Sequence, residues 1–173
     1  MTQTEHKPLP EGYQEQFMLE AIRQAHLAEE LGEVPIGAVV VRNGQVVGTG
    51  YNTRETGKLA TAHAEIAAIE DACRRLGGWR LHQCDLYVTL EPCPMCSGAI
   101  INARIQTVYF GAYDPKAGCA GSVTDLFALP FNHRPQLFGG VLEDQCAGLL
   151  SDFFSRLREE RKKMRDIRTF CEN

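Results

Sequence analysis

Hydrophobic positions recur at two different spacings along the chain, and the spacing separates helices from strands. Between residues 13 and 31, apolar side chains return at every third or fourth position, which predicts a helix that ends near Gly32. The same spacing predicts a helix over residues 64–76, followed by Gly77 and Gly78 as a stop. Two more helices are predicted over residues 94–103 and 144–166.

Short runs rich in β-branched residues predict the strands. Residues 36–42 and 45–50 flank Asn43-Gly44, a dipeptide that favours a hairpin because a type I′ turn needs positive φ at both central positions. Further strands are predicted over 84–90, 107–112 and 136–141. The polar stretch 51–62 and the mixed stretch 113–135 are predicted as loops, the latter with a helical turn near 124–129. A hairpin followed by alternating strands and helices predicts a mixed sheet covered by helices on both faces.

Length and composition predict a single globular domain. The chain has 173 residues, which fits one domain at ~100–200 residues per domain. Pro8, Pro10 and Gly12 lie in a polar N-terminal stretch, so we expect a flexible tail over residues 1–12 and one domain over residues 13–173.

Charge and cysteine usage narrow the function classes. The net charge of -4 argues against a general nucleic-acid binder, although residues 156–168 hold seven basic and three acidic residues. Taken alone, that basic run fits a solvated helix face as well as an RNA contact. No apolar leader is visible and the longest apolar run covers only 34–41, so we expect a cytoplasmic protein with no membrane contact. Seven cysteines cannot all pair within one chain, and in a reducing compartment they serve as metal ligands, catalytic groups or buried thiols.

The first candidate for chemistry is the pair Cys93 and Cys96, separated by Pro94 and Met95. Positions three apart on a helix face the same side, so both sulfurs can reach one ion. Pro94 fits the first helical position, which places Cys93 at the N-cap, where the helix dipole favours the thiolate. A redox-active pair at a helix start would have the same spacing, and the pair alone does not separate the two interpretations.

His63 and Glu65 favour the metal interpretation. One histidine and two cysteines supply three ligands and leave the fourth position of a tetrahedral zinc to water, as in catalytic sites. Zinc lowers the pKa of that water to ~7, and Glu65 can carry its proton without being a ligand. Taken singly, His63 could be a helix cap or a core histidine, and Glu65 a first-turn carboxylate. The joint H-x-E and P-C-x-x-C pattern is the signature of zinc nucleobase deaminases.

The chain resembles the cytidine/deoxycytidylate deaminase superfamily and, within it, the bacterial tRNA-specific adenosine deaminases. The resemblance extends from about Phe17 to Lys163. Besides the metal motif, it rests on VPIGA at 34–38, GYN at 50–52, TAHAE at 61–65, EPC at 91–93, GAYD at 111–114, GS at 121–122, NHR at 132–134 and DFF at 152–154. Pro94 departs from it, since many members carry an aliphatic residue there and guanine deaminases often carry proline. Cys119 is also unusual in its loop, and we expect an exposed thiol there.

The resemblance implies a three-layer α/β/α sandwich with a mixed five-stranded sheet, a homodimer, and conversion of adenosine to inosine at the wobble position of an arginine tRNA. It implies one Zn²⁺ per subunit on His63, Cys93 and Cys96, Glu65 as the general acid/base, and no nucleotide cofactor. Contacts to the flipped nucleoside and the anticodon loop are implied for Asn52, Asp114, Asn132, His133, Phe154 and Arg156.

Three other functions remain open at this point. A free-base or nucleotide deaminase, such as a guanine or cytosine deaminase, would share the whole metal site. A non-catalytic zinc module that binds RNA would have no need for Glu65. An oxidoreductase based on Cys93 and Cys96 would leave His63 and Glu65 without a role.

Overall fold

A computed structural model describes the backbone of residues 8–171 and the side chains of residues 8–166. Most of the tail predicted over residues 1–12 lies outside the described residues, and residues 8–12 form coil and a turn, so its flexibility stays a prediction. The elements, in chain order, are α1 Glu15–Glu30, β1 Gly37–Arg42, β2 Gln45–Tyr51, α2 Arg54–Gly57, α3 Ala64–Leu76, β3 Cys84–Leu90, α4 Pro94–Ala103, β4 Thr107–Ala112, β5 Gln136–Phe138 and α5 Glu143–Cys171.

The five strands form one mixed sheet in the order β2-β1-β3-β4-β5. β1 pairs antiparallel with both β2 and β3, whereas β3, β4 and β5 run parallel to one another. The β1–β2 connection is the predicted hairpin, in which Asn43 and Gly44 have φ of 51° and 72°. Because β2, β3 and β4 run in the same direction, their carboxyl ends meet at one edge of the sheet.

Alternating side chains along the strands divide the core into two layers. One set faces α3 and α4 and comprises Ala38, Val40, Leu86, Val88, Val108 and Phe110. The opposite set packs with α1 and α5 and comprises Val39, Val41, Tyr87, Tyr109 and Phe138. This arrangement confirms the predicted α/β sandwich with a mixed five-stranded sheet and helices on both faces.

Glycines in β2 allow α3 to approach the sheet closely. A Cβ at Gly50 would collide with the backbone oxygen of Ala64, and one at Gly48 would collide with that of Ala68. The first turn of α3 therefore lies directly on the end of β2, which fixes the position of the residues that begin this helix.

Three local predictions were wrong. Residues 124–129 form turns instead of a helical turn, because the Asp125 carboxylate accepts the N–H groups of Phe127 and Ala128. The last strand ends at Phe138, since Gly139 and Gly140 follow and Gly140 adopts φ of 77°. The predicted loop 51–62 contains the short helix α2, which is too brief to produce a periodic pattern.

Candidate active site

Two helix N-termini meet at the edge of the sheet where β2 and β3 end. His63 is the N-cap residue of α3 and Cys93 is the N-cap residue of α4, with Pro94 next to it as predicted. Neither side chain forms a capping hydrogen bond, so both are free to point toward each other. Cys96, one turn into α4, is fully buried beside them.

The three side chains have the spacing that zinc requires. Nδ1 of His63 lies 3.7 Å from Sγ of Cys93 and 3.6 Å from Sγ of Cys96. A tetrahedral zinc with ordinary Zn–S and Zn–N bonds separates a sulfur and a nitrogen ligand by about 3.6 Å. All three ligand atoms lie within 4.8 Å of one another. The residues present therefore fit a zinc ion held by His63, Cys93 and Cys96.

The electrostatics of the cluster favour a bound cation. The pKa of Cys93 is lowered to about 4, because the Cys96 thiol and then His63 hydrogen-bond to its sulfur. The same hydrogen bond, together with burial, raises the pKa of Cys96. The cluster thus favours the thiolate form of Cys93, and a divalent cation would stabilise thiolates on both cysteines.

Glu65 lies in the first turn of α3, two residues after His63, and its side chain is buried. Burial raises its pKa to about 7, and the nearby Cys93 acts in the same direction. A carboxyl group with a pKa near the working pH can both accept and release a proton, which is what a general acid/base must do.

These groups border a cleft of about 190 Å³. It is lined by Val34, Ile36, Asn52, Arg54, His63, Ala64, Glu65, Leu90, Glu91, Cys93, Asp114 and Ala117. The lining comes from the start of β1, the ends of β2, β3 and β4, and the N-termini of α3 and α4. Ligand sites outside the carboxyl ends of strands are typical of open α/β sheets.

Asn52 forms part of one wall, and its amide is held in one orientation. Nδ2 donates to Glu33 at 3.4 Å and to the Val34 carbonyl at 3.3 Å, while Oδ1 accepts the Arg54 N–H at 3.4 Å. Glu33 is completely buried and also accepts the Thr56 N–H at 2.6 Å. Burial opposes ionisation of Glu33, but its hydrogen bonds from Thr56 outweigh burial and hold its pKa below the usual value.

Asp114 lines the cleft two residues after the end of β4. Because β1 and β3 separate β4 from β2, Asp114 and Asn52 line the cleft from opposite sides. Oδ1 of Asp114 accepts the N–H groups of Lys116 and Ala117 at 2.9 and 3.3 Å, so the side chain also stabilises a turn. Cys119 follows in the same loop and is buried, against our expectation of an exposed thiol, because its sulfur faces the Ala117 carbonyl inside the loop.

The remaining predicted contact residues lie outside this cleft. Asn132 is exposed, and Nε2–H of His133 donates to the Ile105 carbonyl at 2.6 Å. Phe154 is 42% exposed on α5 and lines a separate groove of about 520 Å³ with Tyr113, Lys116 and Arg158, among others. Arg156 forms an ion pair with Glu29 of α1.

Sequence reasoning missed two buried carboxylates, Glu33 and Glu91, which organise the two walls. Glu91 belongs to the EPC motif at 91–93, so the sequence marked its position. Nothing in the sequence indicated that its side chain is buried. Glu33 had no such signal, because a charged residue before an apolar strand is normally exposed.

Fold and site together define a zinc-binding deaminase, and comparison with known proteins agrees. Residues 12–112 match the family described as the cytidine and deoxycytidylate deaminase zinc-binding region. This chain belongs to that family of zinc-binding enzymes, and its His63, Cys93 and Cys96 cluster could hold the ion.

Within the family, the chain is similar to the tRNA-specific adenosine deaminase of Bacillus subtilis. The two are 51% identical over 152 residues, which cover 87% of this chain and 94% of the relative. Among solved structures, a chain studied for A-to-I editing by tRNA:A34 deaminases is 46% identical with a TM-score of 0.77, covering 79% of this chain and all of that one. The guanine deaminase of Bacillus subtilis is 38% identical with a TM-score of 0.57, over 73% of this chain and 83% of that one.

Within residues 8–171, none of the helices combines the length and the hydropathy needed to traverse a lipid bilayer.

Proposed function

We propose that this protein hydrolyses adenosine to inosine at the wobble position of a tRNA, with arginine tRNA as its substrate. The 51% identity to a tRNA-specific adenosine deaminase over nearly the full length of both chains carries this proposal. The cleft beside His63, Cys93 and Cys96 supports it, because a base extruded from an RNA loop can enter such a pocket.

The reaction adds water to C6 of adenine and releases ammonia. When bound, zinc supplies the Lewis acidity that makes water a nucleophile near neutral pH. Glu65 takes the proton of the attacking water, passes it to the ring nitrogen N1, and then carries a proton to the amine as the C6–N bond breaks. Its buried carboxyl group, with a pKa raised to about 7, is suited to both steps.

Asn52 and Asp114 lie on opposite walls and would orient the nucleoside between them. The amide of Asn52 is held by hydrogen bonds with Glu33, Val34 and Arg54, so its position in this wall is fixed. Asp114, on the other side, would contact the ribose and the RNA backbone. A nucleotide of the anticodon loop is already partly unstacked, so its extrusion costs less than it would in a duplex.

The proposal assigns Asn132, His133, Phe154 and Arg156 to contacts with the rest of the anticodon loop. Phe154 supports it best, because its exposed ring shares a groove with Lys116 and Arg158. An aromatic ring that shares a groove with cationic side chains is a suitable platform for a stacked base and its phosphates. Arg156 can bind a phosphate while it holds Glu29, since a guanidinium has five N–H donors.

The proposal also includes a single catalytic domain over residues 13–173, a homodimer and a cytoplasmic location. The homodimer rests on the resemblance to the tRNA-specific adenosine deaminases, whereas the domain and the location are the expectations drawn from length and composition. Sedimentation of the purified protein at several concentrations tests the dimer directly, with a monomer at all concentrations as the contrary result.

A purine-base deaminase is the second candidate, because the chain is 38% identical to a guanine deaminase and has at position 94 a proline, which the resemblance associates with guanine deaminases. One experiment separates the two. The protein is incubated with arginine tRNA, and inosine is measured by mass spectrometry of the digested RNA, while ammonia release is measured with guanine and with cytosine. We expect inosine at the wobble position only, and ammonia from guanine without inosine in tRNA would contradict the proposal.

A further inference from the structure

One buried carboxylate beside the cleft has no part in the proposed chemistry. Glu91 follows β3 directly, precedes Cys93 by two residues, and is only 2% exposed. An ionised carboxylate is costly to bury unless its oxygens accept hydrogen bonds. The identity of its donors therefore indicates what Glu91 does.

Four hydrogen bonds to the Glu91 carboxylate come from one loop, residues 114–122. Oε2 accepts the Asp114 N–H at 3.0 Å, and Oε1 accepts those of Ala120 and Ser122 at 2.9 and 3.0 Å. The Ser122 hydroxyl adds a short hydrogen bond to Oε2. Both oxygens are thus used to bind the backbone of residues 114–122.

The loop is closely fitted around this carboxylate. A Cβ at Gly118 would collide with the carboxyl group of Glu91, so the backbone passes directly over it. The Cys119 N–H donates to the Pro92 carbonyl at 2.9 Å, which attaches the loop to the same short segment between β3 and α4. The EPC segment consequently carries a zinc ligand at one end and the anchor of this loop at the other.

The loop forms one wall of the substrate cleft. Asp114 and Ala117, both within it, line the cleft opposite Asn52. A shift of the loop would change the width of the cleft without displacing His63, Cys93 or Cys96, which belong to α3 and α4 and to their N-caps. A change in the loop can therefore alter substrate affinity without altering metal binding.

We propose that Glu91 is a positioning residue, whose carboxylate holds the 114–122 loop as the wall that receives the nucleoside. The proposal rests on the function proposed above, because it concerns how the adenosine of the tRNA is bound. It assigns Glu91 no role in proton transfer or in holding zinc.

Glu91→Gln is the primary test, because it keeps the size of the side chain and replaces one acceptor oxygen with a donor NH₂. The amide cannot accept the hydrogen bonds of Asp114 and of Ala120 and Ser122 together, so one end of the loop is released. We expect KM for tRNA to rise about tenfold, the worth of one hydrogen bond to a charged group, with kcat within about threefold of the parent. Zinc content should stay at the parental level.

Ser122→Ala provides a milder variant that removes one of the four donors. We expect a smaller rise in KM in the same direction, with the folded state retained because Ser122 is exposed. Asp71→Asn is the matched control, since Asp71 also accepts a backbone N–H, that of Thr49 at 3.0 Å, but lies outside the cleft lining. It should leave KM unchanged.

Amide hydrogen exchange gives a readout that does not depend on the substrate. In Glu91→Gln, exchange should rise within residues 114–122 and stay at the parental level in α3 and α4. Parental exchange and parental KM in this variant would overturn the proposal, as would loss of zinc with a matching loss of kcat. If the parent protein forms no inosine in tRNA, the proposed function fails, and hydrogen exchange alone decides whether Glu91 holds the loop.

Discussion

Two regions of the molecule bear the predicted functional residues, and they are built differently. The metal corner comprises His63, Glu65, Cys93 and Cys96, all in or next to the first turns of two helices. The outer surface comprises Asn132, His133, Phe154 and Arg156, which lie on a long loop and on α5. The three candidate ligand atoms of the metal corner lie within 4.8 Å of one another. The outer-surface residues, in contrast, each have different neighbours.

The difference shows which kind of function each region can have. Groups that must share one ion or one proton have to be placed within a few ångströms, so they are fixed by strand ends and helix starts. Groups that contact an extended RNA loop can be spread over the surface, because the substrate itself connects them. Substitutions should therefore abolish chemistry in the metal corner and weaken binding on the outer surface.

The largest effect is expected for Cys93→Ala, which removes one of the three proposed zinc ligands. Zinc should be lost and inosine formation should fall to background, since two ligands do not make a stable site. Metal analysis by mass spectrometry checks the first outcome and digestion of the product tRNA checks the second. Cys73→Ala, a half-buried cysteine outside the cluster, is the control. Full zinc occupancy in Cys93→Ala would remove Cys93 from the ligand set.

Glu65→Gln should stop proton transfer without loss of zinc. The amide keeps the shape of the side chain but cannot carry a proton, so turnover should fall by roughly 10²–10⁴-fold with zinc retained. Single-turnover inosine formation and metal content are the measurements. Glu70→Gln, an exposed position on the same helix that pairs with Arg74, should retain parental turnover. Parental turnover in the zinc-loaded Glu65→Gln variant would show that the proton is carried by another group.

Phe154→Ala tests the outer surface. Loss of the exposed ring should raise KM for tRNA by about tenfold through lost stacking, with zinc and kcat unchanged. Met164→Ala, another exposed apolar residue on α5, should leave KM unchanged. An effect of Phe154→Ala on kcat alone would place the ring in the chemistry instead of in RNA binding.

Arg156→Ala should give the smallest effect. KM is expected to rise about two- to threefold, and the slope of log affinity against log salt should decrease by roughly one, since a single phosphate contact is lost. Loss of the Glu29 ion pair should lower the free energy of unfolding by less than about 1 kcal/mol. Arg23→Ala, which removes an exposed pair with Glu20, is the control for that stability change. An unchanged salt slope would show that Arg156 makes no phosphate contact and forms only the ion pair with Glu29.

Local patterns were sufficient to predict most of the fold. The β-branched runs around Asn43-Gly44 and the helical spacing after His63 correspond to β1, β2 and α3. The prediction failed where hydrogen bonds from side chains, and not the hydrophobic periodicity, determine the backbone conformation. Asp125 caps its own turn, and α2 depends on Glu33, a residue more than twenty positions earlier, which accepts the N–H groups of Glu55 and Thr56.

The same distinction applies to the site. The Cys93 and Cys96 spacing could be predicted because both residues lie on one helix, and His63 joined them through its pattern with Glu65. The roles of Glu33 and Glu91 could not be predicted, because a buried carboxylate is recognised only by the donors that the fold brings to it. Those donors come from loops whose course no periodicity describes.

The central claim is that the metal corner of this chain converts tRNA adenosine to inosine with a bound zinc ion. The most direct test measures inosine at the wobble position with the purified protein, with the same protein after chelation, and after zinc is added back. We predict about one zinc per chain in the active protein, loss of inosine formation on chelation and its return with zinc. Undiminished inosine formation by the metal-free protein would contradict the account.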